Sequence, residues 1–276
     1  MKQTLNILLL IGLLFSCKSK NKETSSPSSN SGTPGSTGTS VEEFKRLLHG
    51  VWIKSDYIQR VIKSKSPYAA IDLAEGLTTI HIDTSKIRGD SLIVPAGINN
   101  HEADKFVLRF NQGKLPGSLQ FAGGYLTYSI TRKDTVLLFS KYNKESKKRE
   151  VTQYIKGVNS VDPSGSDMDY LINKNLVSGN YTMTSPEGAI NHVKFSNDGE
   201  VAGLPGIKTY YILNDFIGDP MDDFDQVIFN LYEKNQQSYA FVITNNTIKL
   251  YDTKPNTDSS KVLLYKLRYT LKKENF

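Results

Sequence analysis

The chain has 276 residues, a formal net charge of +6 and one cysteine, Cys17. A single cysteine excludes an intramolecular disulfide and a cysteine-based metal site, so a folded domain must rely on its hydrophobic core. No zinc-protease, phosphate-loop, dinucleotide-binding or serine-elbow motif occurs, and the four histidines lack metal-ligand spacing, so we expect neither an enzyme nor a cofactor.

Residues 1–16 have the layout of a secretory signal peptide. A basic start is followed by an apolar run over residues 5–15, which is too short to cross a bilayer as a stable helix. The run ends in "LFSC", which resembles the lipobox of bacterial lipoproteins. The resemblance implies that the mature chain begins at Cys17 and carries acyl chains such as palmitate there. The alternative is an ordinary signal peptide with an incidental cysteine.

Residues 17–40 are rich in Lys, Ser, Gly and Pro and predict a disordered tether. A Gly/Ser-rich chain of about 23 residues has a typical end-to-end distance of roughly 25–30 Å, enough to hold a folded part clear of lipid headgroups. In Gram-negative lipoproteins the residue after the cysteine influences sorting, and Lys18 favours the outer membrane. We therefore expect a lipid-anchored protein of the cell envelope, facing either the periplasm or the surface.

The rest of the chain contains one pattern twice, which predicts two domains, 41–160 and 161–276. Each begins with a short predicted helix and continues into a Leu-x-x-Gly-x-aromatic element, "LLHGVW" in the first and "LVSGNY" in the second. Later, "ITRKDTVLLF" matches "ITNNTIKLY", and both predict a strand, a polar turn and a second strand. Matched elements in the same order indicate a duplication.

Each predicted domain has a β pattern. Apolar and polar residues alternate on both sides of Asn197-Asp198-Gly199, a hairpin turn signal. Further segments rich in β-branched and aromatic residues follow at short spacing, with no long helical pattern between them. One more helix is expected near residues 57–62, ended by Pro67. The sequence therefore predicts an all-β fold of two antiparallel barrels or sandwiches, each preceded by a short helix.

This order of elements resembles that of the lipocalins and the wider calycin group. Gly50-Val51-Trp52 matches their Gly-x-Trp signature, and Gly179-Asn180-Tyr181 matches it with Tyr in place of Trp. The resemblance implies two tandem lipocalin-like barrels, each with an Arg from the last strand stacked on its signature aromatic, and Arg268 would take this position over Tyr181. For the first domain that residue would be Arg149 or Lys156. The implied signature residues are Gly50, Trp52, Gly179, Tyr181 and Arg268.

The segment "NDFIGDPMDDFD" is the strongest polar constellation in the sequence. Carboxylate oxygens are the ligands that Ca²⁺ prefers, but the spacing is not that of an EF-hand and no Glu closes it. The sequence therefore favours a solvated loop over a calcium site. The candidate ligands would be Asp215, Asp219, Asp222, Asp223 and Asp225.

Charge is shared unevenly between the predicted domains. Residues 41–160 contain 19 Lys and Arg against 12 Asp and Glu, whereas residues 161–276 contain 11 against 15. Opposite net charges would let the domains pack together, or let the first face an anionic membrane surface. A basic chain also fits nucleic acid, but a lipid-anchored envelope protein rarely meets any, so we expect no such partner.

The resemblance implies a non-enzymatic binding module on a lipid anchor, which takes a small apolar molecule or a lipid. The alternative is an interaction lipoprotein with solid barrels that docks to another envelope protein. An enzyme assembled from distant strands is a third reading. The barrel interiors would separate the first two, because small and mixed inward residues leave a cavity whereas continuous large ones fill it.

Overall fold

The computed structural model describes residues 41–112, 117–130, 134–158, 166–216 and 222–274. The predicted signal peptide, Cys17 and the tether fall outside these ranges. The described residues form one compact unit. No helix among them is long and apolar enough to cross a membrane.

Both predicted halves open with a short helix, as the sequence predicts. The α-helices of the described chain are α1 (Val41–Leu48), α2 (Ser55–Ser64) and α3 (Ser166–Leu176), and 3-10 helices cover Tyr68–Leu73 and Thr84–Lys86. Helix α2 confirms the helix expected near residues 57–62. It ends at Lys65, which adopts a left-handed conformation (φ 58°), two residues before Pro67.

The first eight strands form a closed antiparallel barrel in which each strand pairs with the next. They are β1 (Gly50–Lys54), β2 (Leu77–Ile82), β3 (Ser91–Ile98), β4 (Glu102–Gln112), β5 (Leu119–Phe121), β6 (Gly124–Ile130), β7 (Thr135–Asn143) and β8 (Lys148–Lys156). Strand β8 returns to β1 and closes the barrel, with Trp52 opposite Lys156. The expected hairpin at residues 130–139 is the pair β6–β7, although its turn, 131–133, lies outside the described residues.

Alternation along β1 sends one set of side chains into the barrel and the other set outward. Trp52 is fully buried inside, and its Nε1 donates a hydrogen bond to the carbonyl oxygen of Leu48 at 2.7 Å, which ties α1 to the barrel. Buried Leu, Ile, Val and Phe side chains pack around it in one cluster. The barrel interior is therefore a filled hydrophobic core.

The other eight strands form a second antiparallel sheet, in the order β11-β10-β9-β16-β15-β14-β13-β12. They are β9 (Gly179–Thr184), β10 (Ile190–Phe195), β11 (Val201–Ala202), β12 (Tyr210–Ile212), β13 (Asp225–Phe229), β14 (Gln237–Thr244), β15 (Thr247–Pro255) and β16 (Val262–Lys273). The turn predicted at Asn197-Asp198-Gly199 joins β10 to β11. The expected second closed barrel does not form as a continuous ladder, because β11 and β12 remain edge strands that approach at an isolated bridge, Glu200 with Thr209.

The duplication predicted from the sequence has a structural counterpart where the last strand of each sheet meets the first. Trp52 lies opposite Lys156, and Tyr181 lies opposite Lys273. The Nζ atoms of these lysines lie 5.8 and 5.9 Å from the ring centroids of their aromatic partners. The implied stacking of Arg268 on Tyr181 is therefore wrong. The guanidinium of Arg268 lies over Tyr269 instead, 5.7 Å from its centroid.

The same aromatic–lysine pairs explain why glycine occupies the two signature positions. Gly50 and Gly179 have φ values of +128° and +143°, which L-residues rarely adopt. A Cβ at these positions would lie 2.9 and 2.8 Å from the Cε atoms of Lys156 and Lys273. Each glycine thus lets a lysine of the last strand cross the first strand and reach the aromatic ring.

The two halves share one hydrophobic cluster. It contains Val51 and Ile53 from the outer face of β1, Tyr57 and Val61 from α2, and Ile172 from α3, and it continues into the interior of the second sheet. Fully burying an aliphatic or aromatic side chain contributes about 1.5–3 kcal/mol relative to leaving it exposed. The halves are therefore joined by a true core.

We expect Gly179→Ala to lower the free energy of unfolding by about 2–3 kcal/mol, because the substitution strains the backbone at φ +143° and displaces the flexible end of the Lys273 side chain from the ring of Tyr181. Gly76→Ala is the matched control, since Gly76 has φ +72° and no atom within 4 Å of the place of a Cβ. It should lose only about 1 kcal/mol. Urea unfolding measures both values, and equal losses would contradict the steric role given to Gly179.

Candidate functional site

The aspartate-rich segment joins the second half of the chain to the first. Asp225 is 9% exposed, and its Oδ1 accepts a hydrogen bond from the backbone N–H of Tyr68 at 2.8 Å. Asp223 Oδ1 accepts from the Tyr68 hydroxyl at 3.2 Å. Asp215 Oδ2 lies 2.8 Å from His101 Nδ1. The prediction of a solvated loop is therefore wrong for Asp225 and incomplete for its neighbours.

The described carboxylates of this segment point to different partners. Asp222 accepts a hydrogen bond from Gln226, and Asp223 forms an ion pair with Lys261 at 3.5 Å. Asp219 lies outside the described residues. Within the part of the chain that the structure describes, no three or more His, Cys, Asp or Glu side chains are arranged to hold a metal ion. The described aspartates therefore do not assemble the calcium site considered from the sequence.

A cleft of about 490 Å³ lies between the two halves. One wall comes from β2, β3 and the turn before β4, with Thr79, His81 and Asn100. The other wall comes from α3 and the chain around β12, with Asp169 and Asn214. Buried His81 has its Nε2 at 3.3 Å from Thr79 Oγ1. The cleft thus combines polar groups from both halves at their junction.

Asp169 is the most perturbed carboxylate of this cleft. Its Oδ1 accepts a hydrogen bond from Asn214 Nδ2 at 2.8 Å, which favours the ionised form. Burial outweighs that bond and raises the pKa of Asp169 to about 6. Burial also raises the pKa of Tyr211, which lies on the same wall of the cleft. A carboxylate kept in a cleft against its desolvation penalty marks a candidate functional position.

The sequence analysis did not include Asp169 among the candidate site residues. The pattern of α3 contains a signal that could have found it. Asp169, Ile172, Asn173 and Leu176 have the spacing of one helix face, and the last three are buried. A carboxylate on that stripe faces the interior or a cleft.

A second cavity, of about 280 Å³, lies inside the second sheet. Its wall is mostly apolar and aromatic, with Phe195, Phe229, Tyr239, Tyr269 and Leu271 among its members. Three polar residues, Ser185, Asn191 and Gln237, also line it. Below it the same sheet encloses a void of only about 10 Å³ among buried apolar side chains. The cavity therefore has an apolar body and a few polar groups.

The sequence could not decide whether each barrel interior is hollow or filled, and the two sheets differ in this respect. In the first barrel, the ring of Phe121 contacts those of Phe106 and Phe139 edge to face at 5.6 and 5.9 Å, inside the filled core. In the second sheet, Tyr239 contacts Phe229 and Tyr269 at about the same distances but lines open space. The apolar cavity belongs to the second half.

Comparisons of the chain with protein-family models, with curated proteins and with solved structures found no match.

We expect Asp169→Asn to stabilise the protein at pH 8 but not at pH 4. The folded-state pKa of Asp169 is raised above its ordinary value, so the stability contributed by its bound proton is present below about pH 4 and is lost as the pH rises through about 6. A shift of this size corresponds to about 1–3 kcal/mol. The asparagine carries no charge and removes this dependence.

Urea unfolding of both proteins between pH 4 and pH 8 measures the effect. Asp104→Asn, at an exposed position on the rim of the same cleft, is the control and should leave the difference from the parent protein flat across this range. Parallel stability curves for Asp169→Asn and the parent protein would show that Asp169 is not a strained carboxylate.

Proposed function

We propose that the second half of the chain binds a small apolar molecule in its internal cavity. The observation that carries this proposal is the apolar cavity of about 280 Å³ in the second sheet, beside a first barrel whose interior is filled. Ligand cavities usually measure about 300–1,000 Å³ and are mostly apolar with a few placed polar groups. A volume near the lower limit fits a molecule with one or two rings, or a short acyl chain.

The lining residues support an aromatic or acyl ligand. Phe195, Phe229, Tyr239 and Tyr269 offer ring faces and edges, which favour offset or edge-on contact with another apolar group. Gln237 is already oriented, since its Oε1 accepts a hydrogen bond from the Tyr239 hydroxyl at 2.9 Å. A single polar group on the ligand could meet Gln237 while the rest stays in the apolar wall.

We further propose that the second sheet is a lipocalin-like barrel in which the ladder is interrupted. Two features support this interpretation. The Gly179–Tyr181–Lys273 arrangement repeats that of the closed barrel. The backbone N–H of Val201, in edge strand β11, donates to the carbonyl oxygen of Lys208, two residues before β12, at 2.7 Å, so the two edges of the sheet meet.

For the first barrel we propose docking to another envelope protein, the alternative function considered from the sequence. Its filled interior leaves only its surface for recognition. On that surface Ile93 and Val107 are cross-strand partners, 65% and 46% exposed. We propose this exposed apolar pair as part of the contact with the partner.

Ligand binding can be tested with the environment-sensitive probe 1-aminonaphthalene and by native mass spectrometry of the purified full chain. We expect the probe to gain fluorescence on the parent protein and Ala189→Trp to weaken its binding at least about tenfold, because a large ring would fill the space beside Ala189 in the cavity wall. Ala202→Trp, at an exposed position of the same sheet outside this wall, should bind like the parent. Absence of saturable binding to the parent protein would overturn the proposal.

We also propose that acyl chains on Cys17 hold the chain at a membrane of the cell envelope. Because Lys18 follows the cysteine, we propose the outer membrane. The support is the lipobox-like order of residues before Cys17. One acyl chain alone gives only marginal membrane binding, so stable anchoring follows from several chains on one residue. This anchor requires no transmembrane helix.

We expect Cys17→Ser to abolish incorporation of an alkyne-labelled palmitate and to leave a protein that a high-salt wash removes from the membrane. Lys18→Asp is the companion variant, which should keep the label while changing the membrane in which the protein is found. Full labelling of Cys17→Ser would show that the acyl chains are attached at another residue.

A further inference from the structure

The last two strands extend beyond the sheet to which they belong. Strand β16 is paired with β9 only as far as Thr270 opposite Thr184, whereas its pairing with β15 continues to Val262 opposite Pro255. Residues 251–268 therefore form a hairpin, named here the hairpin arm, which leaves the sheet at Tyr251, still paired with Ala240 of β14. Along Val262–Arg268 its outer edge is not paired with any strand among the described residues.

The hairpin arm exposes large apolar side chains on both faces. Leu263, Leu264, Tyr265 and Leu267 are 44%, 45%, 62% and 37% exposed. Because consecutive residues of a strand point to opposite faces, this run cannot be buried by covering one face alone. An isolated two-stranded ribbon gains little stability from its own packing. Packing in the protein core therefore does not explain why these apolar residues are present.

The charge of the hairpin arm is opposite to that of its surroundings. Residues 251–268 contain four Lys and Arg and two Asp, whereas the rest of residues 161–276 contains seven Lys and Arg and thirteen Asp and Glu. Lys254 lies over the ring of Tyr265, 4.5 Å from its centroid, and Lys261 pairs with Asp223. Lys266 and Arg268 border the exposed leucines. A partner that covers this run must accept apolar side chains and carry negative charge.

The hairpin arm also begins beside the proposed ligand cavity. Tyr269, the next residue of β16, lines that cavity, and so does Ser185, which follows the end of β9. The separation of β16 from β9 thus occurs at the cavity. Whatever covers the arm lies close to the place where a ligand would enter.

We propose that the hairpin arm docks onto the surface of an anionic lipid bilayer. The leucines and Tyr265 enter the boundary between headgroups and acyl chains, and Lys266 and Arg268 lie at the level of the lipid phosphates. Apolar area buried about 5–10 Å into this boundary, together with attraction to anionic lipid, is how amphipathic surface elements bind membranes. A second copy of the chain fits less well, because it would bring two positively charged arms together.

Docking of this kind would place the cavity next to lipid, so that an apolar ligand could exchange with the bilayer. This consequence rests on the proposed function, whereas the membrane contact does not. The two are separable by experiment, because binding of 1-aminonaphthalene is measured in lipid-free solution and docking is measured with vesicles.

Tyr265→Trp in the full chain provides a local probe. The native tryptophan, Trp52, is fully buried in the first barrel and contributes a constant background. Tyr142→Trp is the matched control, since Tyr142 is 55% exposed in the Lys-rich hairpin β7–β8 of the first barrel. Both variants are mixed with vesicles of phosphatidylcholine and phosphatidylglycerol that carry brominated acyl chains, at lipid concentrations that pellet the protein.

We expect the Tyr265→Trp protein to shift its emission to the blue and to lose at least about half of its added fluorescence, as required for a side chain at the acyl boundary. The Tyr142→Trp protein should show neither change. Adding Leu263→Ser and Leu264→Ser to the Tyr265→Trp protein should reduce the quenching at least about threefold, and neutral vesicles should reduce it as well.

Three outcomes would overturn the proposal. The first is failure of the Tyr265→Trp protein to be quenched, whether or not it pellets with the vesicles. The second is equal quenching of both tryptophan variants, which would indicate adhesion by charge alone. The third is a concentration-dependent blue shift of the Tyr265→Trp protein without lipid, which would assign the arm to a second copy of the chain.

Discussion

The pairing of the first and last strands through an aromatic residue and a lysine is the contact on which both sheets depend. In each half a glycine with positive φ removes the side chain that would block the lysine, and the lysine then spans the first strand to reach Trp52 or Tyr181. A cation over an aromatic ring contributes about 0.5–2 kcal/mol, depending on its desolvation. The contact is made in the register that joins β8 to β1 and β16 to β9, with Trp52 opposite Lys156 and Tyr181 opposite Lys273.

The register of β1 determines which of its side chains face the second half of the chain. With Trp52 inside the barrel, Val51 and Ile53 must point outward, where α2 and α3 cover them. The same arrangement brings Asp225 to the backbone N–H of Tyr68, a contact that spans 157 residues of sequence. Polar contacts at the junction are therefore positioned by the shared core, and the cleft with Asp169 occupies the remaining space between the two walls.

Local patterns made much of the fold predictable, and long-range contacts account for the errors. The Gly-x-aromatic elements, the short helices before them and the Asn197-Asp198-Gly199 turn are written in neighbouring residues, so the sequence predicts them directly. The resemblance implied Arg268 over Tyr181, but the pairing of β16 with β9 places Lys273 opposite that ring, and neighbouring residues do not reveal this pairing. Asp225 reads as part of a polar loop, since nothing near it in sequence reveals Tyr68. Closure of the second sheet depends likewise on β11 and β12. These strands have only two and three residues, too few to show an alternation of apolar and polar residues in the sequence.

The interruption of the second ladder and the presence of a cavity have one physical origin. Strands as short as β11 and β12 supply few inward side chains, so part of the wall must come from the connection between them. Leu204, Pro205 and Ile207 of that connection do line the cavity. A loop has no regular alternation and cannot interdigitate with the opposite wall as strands do. The closed barrel has continuous strands and a filled core, whereas the second sheet has a loop in place of two strand ends and retains open space.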